Sequence, residues 1–274
     1  MSRARTLTGQ VVAITGGAHG IGREIAAKFS AAGAKVAIGD IDLDAVQAAA
    51  AELGALASRL DVTDQDCLNA FLADVTRELG TIDIFVSNAG LMWVGPFAQE
   101  PDSAARAQLE VNLLGVINGI KAVAPGMLAR GRGHLITVAS AGSILPTPGE
   151  ATYAATKHGV LGYLKAIRAE LRGTGVLVTA IMPGVVDTAL AAGTSSGAAK
   201  RLTPAEVARS VVKAAARPRF ELTVPGFIGP AVTVANLLPI AIRDRLFGAM
   251  VPNQLLARKN QRQDYEASFT APER

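Results

Sequence analysis

Short apolar runs alternate with amphipathic, helix-length segments along most of the chain. The first four predicted strands are Val11–Thr15, Lys35–Gly39, Leu56–Leu60 and Ile82–Ser87. After the first strand, Ile21, Ile25 and Phe29 recur at the spacing of a helix with one buried face. This alternation predicts an α/β fold: a doubly wound parallel sheet of about seven strands with helices on both faces.

Capping residues support these boundaries. Asp42 and Asp64 stand at predicted helix starts, and Gly33, Gly54 and Gly80 stand at predicted helix ends. The later predicted elements are a helix over 101–128 that a proline at position 125 can interrupt, a strand over 134–139, a helix over 152–172 and a strand over 176–181.

The chain contains no linker that would divide it, so we expect one domain over residues 1–257. Within it, residues 227–257 form an apolar C-terminal extension. The Gly/Ser/Ala-rich segment 191–199 has the composition of a mobile flap over a site. Residues 258–274 are polar and charged, and we expect this tail to be poorly ordered.

Composition excludes some classes of protein. Half of the 274 residues are hydrophobic and 18% are charged, which is the composition of a globular protein with a sizeable core. The net charge of +4 comes from scattered basic residues and not from a basic stripe, so nucleic acid is not an expected partner. The single cysteine, Cys67, fits a reducing compartment. No secretory signal or transmembrane segment is recognised, so we expect a cytoplasmic protein.

A glycine-rich turn, TGGAHGIG, follows the first predicted strand directly. It places Gly16, Gly20 and Gly22 where backbone can approach a pyrophosphate at a helix N-terminus. Such a turn also occurs in α/β proteins that bind no dinucleotide. His19, in the same turn, is a weak candidate for contacting an extra phosphate because its imidazole is mostly neutral.

Asp40, at the end of the second predicted strand, stands where a dinucleotide fold carries the acid that binds the adenosine ribose. A carboxylate there repels a 2′-phosphate, which favours NAD over NADP. Asp42 is a competing candidate, and its alternative role is to cap the following helix.

Tyr153 and Lys157 lie one helical turn apart, so both side chains project from the same helix face. A nearby ammonium stabilises a phenolate, which makes the pair a candidate acid/base for alcohol chemistry. A surface pair with no catalytic role has the same spacing.

Taken in order, the glycine-rich turn, Asp61, Ser87–Gly90, Asn112, Ser140, the Tyr/Lys pair and Pro183–Thr188 resemble the motifs of short-chain dehydrogenases/reductases. The resemblance is to the compact, single-domain form with a Rossmann-type sheet, and it covers residues 7–225. One departure is Ser87, where the family usually has the first of two asparagines.

The resemblance implies a catalytic tetrad of Asn112, Ser140, Tyr153 and Lys157. Tyr153 is then the acid/base, Ser140 polarises the substrate oxygen, and Lys157 lowers the tyrosine pKa and holds the nicotinamide ribose. Asn112 supports a water that carries protons to solvent. The residues expected to bind NAD are Gly16, His19, Gly20, Ile21, Gly22, Asp40, Asp61, Val62, Asn88, Ala89, Gly90, Tyr153, Lys157, Pro183, Gly184, Val186 and Thr188.

The implied activity is hydride transfer between NAD and a secondary alcohol or ketone, acting on the CH–OH group. Apolar residues beside the motifs favour a bulky hydrophobic substrate of steroid, terpenoid or long-chain type, although the same residues can pack under loops: Met92, Trp93, Val94, Ile144, Leu145, Val185 and Leu190. A non-catalytic dinucleotide sensor is the alternative on the same fold. A methyltransferase would leave the spacing of the serine, tyrosine and lysine unexplained.

Three further expectations complete the interpretation. His134 and His158 are expected to be structural, and no metal site is assigned. By analogy with the family, the protein is expected to be a homotetramer or homodimer. The 227–257 extension is expected to pack over the site and onto a partner chain, with peripheral contact to a membrane as the alternative.

Overall fold

The computed structural model describes residues 5–197, 200–256 and 259–270. Seven parallel strands form one sheet in the order β3-β2-β1-β4-β5-β6-β7. Their bounds are Val11–Thr15 (β1), Lys35–Asp40 (β2), Leu56–Arg59 (β3), Ile84–Ser87 (β4), Gly133–Val138 (β5), Val176–Pro183 (β6) and Glu221–Val224 (β7). The predicted Rossmann-type fold class is confirmed.

Helices cover both faces of this sheet. Their bounds are Gly20–Ala31 (α1), Leu43–Leu53 (α2), Gln65–Leu79 (α3), Asp102–Leu109 (α4), Gly115–Ala129 (α5), Ala151–Glu170 (α6), Pro204–Ala216 (α7), Ile228–Ala235 (α8), Ile240–Met250 (α9) and Gln263–Thr270 (α10). A π-helical turn, Glu110–Leu114, joins α4 to α5, so the long predicted helix continues through this point. Pro125 lies inside α5 without ending it.

Side chains of each strand alternate between two apolar layers. In β1, Val12 and Ile14 pack in the layer formed with α1, α2 and α7. Val11 and Ala13 pack in the opposite layer, with α3, α5 and α6. Burial of both faces explains why the strands are continuous apolar runs.

The helical stretch Asp102–Ala129 is long and apolar enough to cross a membrane by length and composition alone. In the fold its apolar side packs on the sheet, where Val116, Ile120 and Met127 are buried. The core helix of a globular domain meets the same length and composition test.

The strand order reverses between β1 and β4, whose neighbours β2 and β5 lie on opposite sides. At such a switch point the loops after the two strands diverge and leave a crevice at the carboxyl ends of the strands. The glycine-rich turn after β1 and the Asn88–Gly90 segment after β4 border this crevice.

The C-terminal region differs from the sequence expectation. Residues 263–270 form helix α10, and the side chain of Arg262 is only 1% exposed. Where the sequence predicts a poorly ordered tail, the structure has polar side chains at 262, 265 and 266 that form hydrogen bonds inside the fold. Residues 258 and 271–274 of the predicted tail, residue 257 of the predicted extension and positions 198 and 199 of the predicted flap lie outside the described residues.

Candidate active site

The turn after β1 requires glycine for steric reasons. Gly16 has φ +67°, and a Cβ there would lie 2.8 Å from the Cα of Ala89. A Cβ on Gly22 would lie 1.9 Å from the Gly16 carbonyl oxygen, which is closer than any real contact. Gly20 has φ +52° and lies against Thr188, from the segment after β6. Bare backbone therefore lines this turn, as close approach to a phosphate requires.

Hydrogen bonds fix the turn to the end of β4. The Thr15 hydroxyl accepts from the backbone N–H groups of Asn88 and Ala89, both at 3.0 Å. The Asn88 side-chain amide donates to the carbonyls of Thr15 and Gly16 at 3.1 and 2.9 Å. Among the described residues, the buried Ser87 hydroxyl has no hydrogen-bond partner.

Asp40 lies at the end of β2 beside the turn. Its carboxylate accepts a hydrogen bond from the Ala18 N–H at 3.0 Å and a longer one from the Asp42 N–H at 3.4 Å. A carboxylate has about four acceptor positions, so it can still accept from ribose hydroxyls. The competing Asp42 caps α2 by accepting from the Ala45 N–H at 3.0 Å. His19 precedes α1, is exposed, and makes no side-chain capping bond.

The residues after β3 are partly engaged in local structure. Asp61 accepts from the N–H and hydroxyl of Thr63 at 2.9 and 2.7 Å. The Val62 side chain is buried against Gly115, whose missing Cβ would otherwise lie 2.8 Å from it. The Val62 side chain therefore packs in the core and does not line the cavity described below.

Asn112 lies in the π-helical turn and is fully buried. Its amide oxygen accepts from the Leu91 N–H, and its amide nitrogen donates to the Leu91 carbonyl, both at 2.8 Å. The nitrogen also reaches the Thr156 hydroxyl at 3.2 Å. A Cβ on Gly90 would lie 3.1 Å from the Asn112 oxygen and 3.6 Å from the Lys157 nitrogen. The structure thus brings these two predicted residues together beside Gly90.

Ser140, Tyr153 and Lys157 meet at the base of the crevice. Ser140 follows β5, and its Oγ accepts from the Gly142 N–H at 3.0 Å. The neighbouring Ser140 hydroxyl lowers the tyrosine pKa. Lys157 donates to the Val138 carbonyl at 3.4 Å, and its ammonium lies 5.5 Å from the centre of the Tyr153 ring.

Burial dominates the acid–base properties of this group. It raises the pKa of Tyr153 well above the ordinary value, and the charge of Glu150 raises it further. Burial also lowers the pKa of Lys157 to about 8. The net shift of the tyrosine pKa is therefore upward, because burial of the phenolate outweighs the lowering by Ser140.

The hydroxyls of Ser140 and Tyr153 open into an apolar cavity of about 620 Å³. The predicted cofactor residues Ile21, Asn88, Gly90, Pro183, Gly184, Val186 and Thr188 line the same cavity, as do Met92, Leu145, Val185 and Leu190. The other predicted apolar residues do not: Trp93 is buried, Val94 packs with Met92 and Tyr153, and Ile144 packs against residues of α8 and α9. Helices α8 and α9 form the opposite wall, as expected for the extension, with Val232, Phe247 and Met250.

Sequence reasoning missed two charged residues at this cavity. Glu150 lines it and is 8% exposed; burial raises the pKa of its carboxyl to about 7, while the charge of Arg262 opposes the rise. An acid three residues before the tyrosine was the available signal. Arg262 stands in the charged tail, and no local pattern marked it.

His134 and His158 do not line the cavity. His134 is buried, its Nε2 lies 2.8 Å from the Thr179 hydroxyl, and burial lowers its pKa to about 3. His158 is exposed and contacts the Ala154 carbonyl. Within the described ranges, no group of three or more histidine, cysteine or acidic side chains is arranged to hold a metal ion.

Comparison with known proteins identifies a family model and several similar dehydrogenases and reductases. The short chain dehydrogenase family model matches residues 10–199. The chain is 36% identical to 1-deoxy-11-beta-hydroxypentalenate dehydrogenase of Streptomyces exfoliatus over 76% of this chain and 80% of that one. It is 32% identical to 17-beta-hydroxysteroid dehydrogenase 13 of Rattus norvegicus over 86% and 82%. Against glycine betaine reductase ATRR of Emericella nidulans, identity is 34% over 77% of this chain but only 18% of that protein's length.

Solved structures agree on the fold. A short chain dehydrogenase/reductase from Burkholderia phymatum in complex with NAD superposes with a TM-score of 0.79 at 24% identity, covering 85% of this chain and 95% of that one. The 3-ketoacyl-(acyl-carrier-protein) reductase from Brucella melitensis, complexed with NADH, gives 0.74 at 28% identity over 80% and 97%. With the geometry above and a family model matching more than half of its length, the chain belongs to the short-chain dehydrogenase/reductase family of oxidoreductases.

Proposed function

We propose that this protein is an NAD-dependent oxidoreductase that interconverts a bulky hydrophobic secondary alcohol and its ketone. One observation carries the proposal. Ser140 and Tyr153 lie together at the base of an apolar cavity that predicted cofactor residues also line. A carbonyl carbon placed there would be next to both a proton donor and the cofactor crevice.

The residues present fit a nicotinamide dinucleotide. Gly16, Gly20 and Gly22 leave backbone bare where a pyrophosphate would approach the α1 N-terminus. Asp40 retains acceptor capacity for the adenosine ribose. Lys157 uses one of its three donors on Val138 and has others for the nicotinamide ribose. The bound cofactor supplies hydride exchange, which is its own chemistry and not the protein's.

The protein's own contribution is orientation and proton transfer. Ser140 donates a hydrogen bond to the substrate oxygen and polarises the C–O bond. Tyr153 donates its proton to that oxygen during reduction and accepts one during oxidation. The raised pKa of Tyr153 favours the protonated form, which is the form that reduction requires. Asn112, behind Gly90, holds the Leu91 backbone in place and so supports this end of the cavity.

Two observations support a hydrophobic substrate. The cavity wall is mostly apolar, and α8 and α9 extend it beyond the catalytic residues. Two relatives similar over most of their length are named for a hydroxypentalenate and for hydroxysteroids. The cavity of about 620 Å³, which the substrate would share with the nicotinamide end of the cofactor, is within the usual range for a small-molecule site.

The preference for NAD rests on Asp40. Its carboxylate lies beside the glycine-rich turn, where the 2′-phosphate of NADP would bring a second negative charge. Two structural neighbours are complexes with NAD and NADH. We further propose a cytoplasmic homotetramer or homodimer that pairs through the long helices α4, α5 and α6, where Leu109 and Leu114 are exposed.

Turnover of a panel of secondary alcohols with NAD, followed as NADH absorbance, tests the proposal. We expect activity that rises from small to polycyclic or long-chain substrates and is at least tenfold lower in Ser140→Ala. A protein that binds NAD tightly but oxidises no alcohol and reduces no ketone would instead be a dinucleotide sensor.

A further inference from the structure

The C-terminal segment 259–270 lies against the wall of the substrate cavity. Arg262 stands just before α10, and its guanidinium is 1% exposed. Tyr265 and Glu266 follow one turn later, on the helix face that lies toward the same wall. These three side chains approach two segments that precede them by roughly 70 and 170 residues.

Arg262 binds both of those segments at once. Its Nη2 donates to the Met92 carbonyl at 2.7 Å, in the loop after β4. Its Nη1 donates to the carbonyls of Leu190 and Ala192 at 2.8 and 2.9 Å, in the flap after β6. Its Nε donates to Glu266 at 2.7 Å, and this bond fixes the orientation of the guanidinium. A planar fork of donors is the geometry that only arginine provides.

Tyr265 and Glu266 engage the first segment alone. The Tyr265 hydroxyl accepts from the Met92 N–H at 3.1 Å. Glu266 accepts from the Val94 N–H at 3.2 Å. The loop after β4 is therefore held by three side chains of the C-terminal segment. Among the described residues of that segment, only the side chain of Arg262 hydrogen-bonds to the flap as well.

The two segments joined by Arg262 are the walls beside the catalytic tyrosine. Met92, Val94 and Leu190 pack with Tyr153 in one apolar cluster. Met92, Leu190 and Ala191 line the cavity. A change in the separation of these walls changes both the room for substrate and the packing of the Tyr153 ring.

We propose that Arg262 is a positioning residue that sets the width of the substrate cavity by joining its two walls. We name the three side chains Arg262, Tyr265 and Glu266 the C-terminal clasp. The inference rests on the proposed function only in identifying the cavity as the substrate site. The clasp then determines selectivity for bulky substrates, because it acts on the walls and not on the reacting atoms.

The test compares Arg262→Gln with Tyr265→Phe, and uses Arg243→Gln on the outer helix α9 as a matched control. Hydrogen exchange of the full-length protein is followed at 91–95 and at 189–196. In Arg262→Gln we expect exchange to become at least tenfold faster in both segments. In Tyr265→Phe we expect faster exchange in 91–95 alone. Arg243→Gln should match wild type in both segments.

Steady-state kinetics give the second readout. In Arg262→Gln we expect KM for a polycyclic or long-chain alcohol to change at least fivefold, while kcat for the smallest active alcohol and the Kd of NAD stay within twofold. Unchanged exchange at 189–196 in Arg262→Gln, or an equal change in KM for small and large substrates, would overturn the inference. Should Arg262→Gln fail to fold, Arg262→Lys, which keeps the charge but loses the planar fork of donors, replaces it with the same expected results and the same contradicting outcomes.

These results are separable from the proposed function. Absence of turnover in the wild-type protein would defeat the oxidoreductase proposal, but the exchange pattern would still report whether the clasp joins the two walls. Conversely, an active wild-type enzyme whose Arg262→Gln variant shows unaltered exchange would support the proposed function and contradict the clasp.

Discussion

The carboxyl group of Glu150 and the hydroxyl of Tyr153 are buried in the same cavity, one helical turn apart at the start of α6. The negative charge of Glu150 raises the pKa of Tyr153, and burial raises the pKa of Glu150 itself to about 7. The positive charge of Arg262, in the C-terminal segment, opposes this rise in the pKa of Glu150. The protonation state of Glu150 near neutral pH is therefore linked to that of the tyrosine.

Glu150→Gln should change the pH dependence of alcohol oxidation. Removal of the negative charge lowers the pKa of Tyr153, so the alkaline rise in kcat/KM should move to lower pH. The measurement is a pH profile of kcat/KM for one alcohol. Glu100→Gln, at a partly buried acid bonded to Thr152, is the control and should leave the profile in place. A profile of Glu150→Gln that coincides with wild type would contradict this coupling.

Glu150 also predicts a dependence of stability on pH. Its folded-state pKa lies above the unfolded value, so the folded state binds more protons between about pH 4.5 and 7. Its contribution to stability is fully present below this window and is lost as pH rises through it. Denaturant unfolding should show Glu150→Gln gaining up to about 3 kcal/mol relative to wild type between pH 5 and 8. If the difference in the free energy of unfolding between variant and wild type stays constant across that range, the pKa of Glu150 is not raised in the folded state.

Tyr153→Phe should bind NAD with normal affinity but lose turnover. The phenylalanine ring fills the same space among Met92, Val94 and Leu190, whereas the transferable proton is gone. General acid–base catalysis contributes about 100-fold to 10,000-fold, so kcat should fall by at least that lower amount. Residual kcat above about a tenth of wild type would contradict the assigned role.

Asp40→Ala should reduce the preference for NAD over NADP. We expect the wild-type protein to bind NAD at least about tenfold, or 1.4 kcal/mol, more tightly. The variant loses both ribose hydrogen bonds and repulsion of the 2′-phosphate. Titration of both cofactors into wild type and Asp40→Ala measures this, with Asp42→Ala, the helix cap, as control. Equal wild-type affinities for the two cofactors would contradict the proposal.

Gly22→Ala should disrupt the cofactor turn, because the new methyl group would lie 1.9 Å from the Gly16 carbonyl. A displacement of backbone costs about 1–3 kcal/mol, so both the free energy of unfolding and NAD affinity should fall. Gly162→Ala, with nothing within 4 Å of its Cβ in α6, is the matched control. We expect that control to gain about 0.5–1 kcal/mol from helix propensity. Equal effects of the two substitutions would show that the turn is not sterically tight.

The oligomer prediction is tested by two surface variants, Leu114→Glu on the helical stretch 102–129 and Leu237→Glu between α8 and α9, where the leucine is 82% exposed. A charge in an apolar interface should lower the mass in light scattering, and we expect this for both variants. Wild-type mass together with lost sedimentation on lipid vesicles in Leu237→Glu would assign the α8–α9 surface to a membrane instead.

Local sequence patterns are sufficient to predict the layered fold and the motifs that border the crevice. Apolar periodicity is a local property, and each strand and helix of the first half follows from it within one or two residues, as at β1 and α3. The glycine-rich turn and the Tyr153/Lys157 pair are also local, because their geometry follows from a few consecutive residues. The order of the strands in the sheet then brings the glycine-rich turn and the Tyr153/Lys157 pair to one crevice.

Contacts between distant segments could not be predicted from local patterns and follow only from the folded structure. Arg262 looked like part of a solvated tail, and its burial exists only because Met92 and Leu190 present carbonyl groups to it from far along the chain. The pKa of Tyr153 likewise could not be inferred from Lys157 alone, because desolvation depends on every element that encloses the ring. Periodicity fixes which face of an element is buried, whereas the charges that share that interior are set by which elements meet.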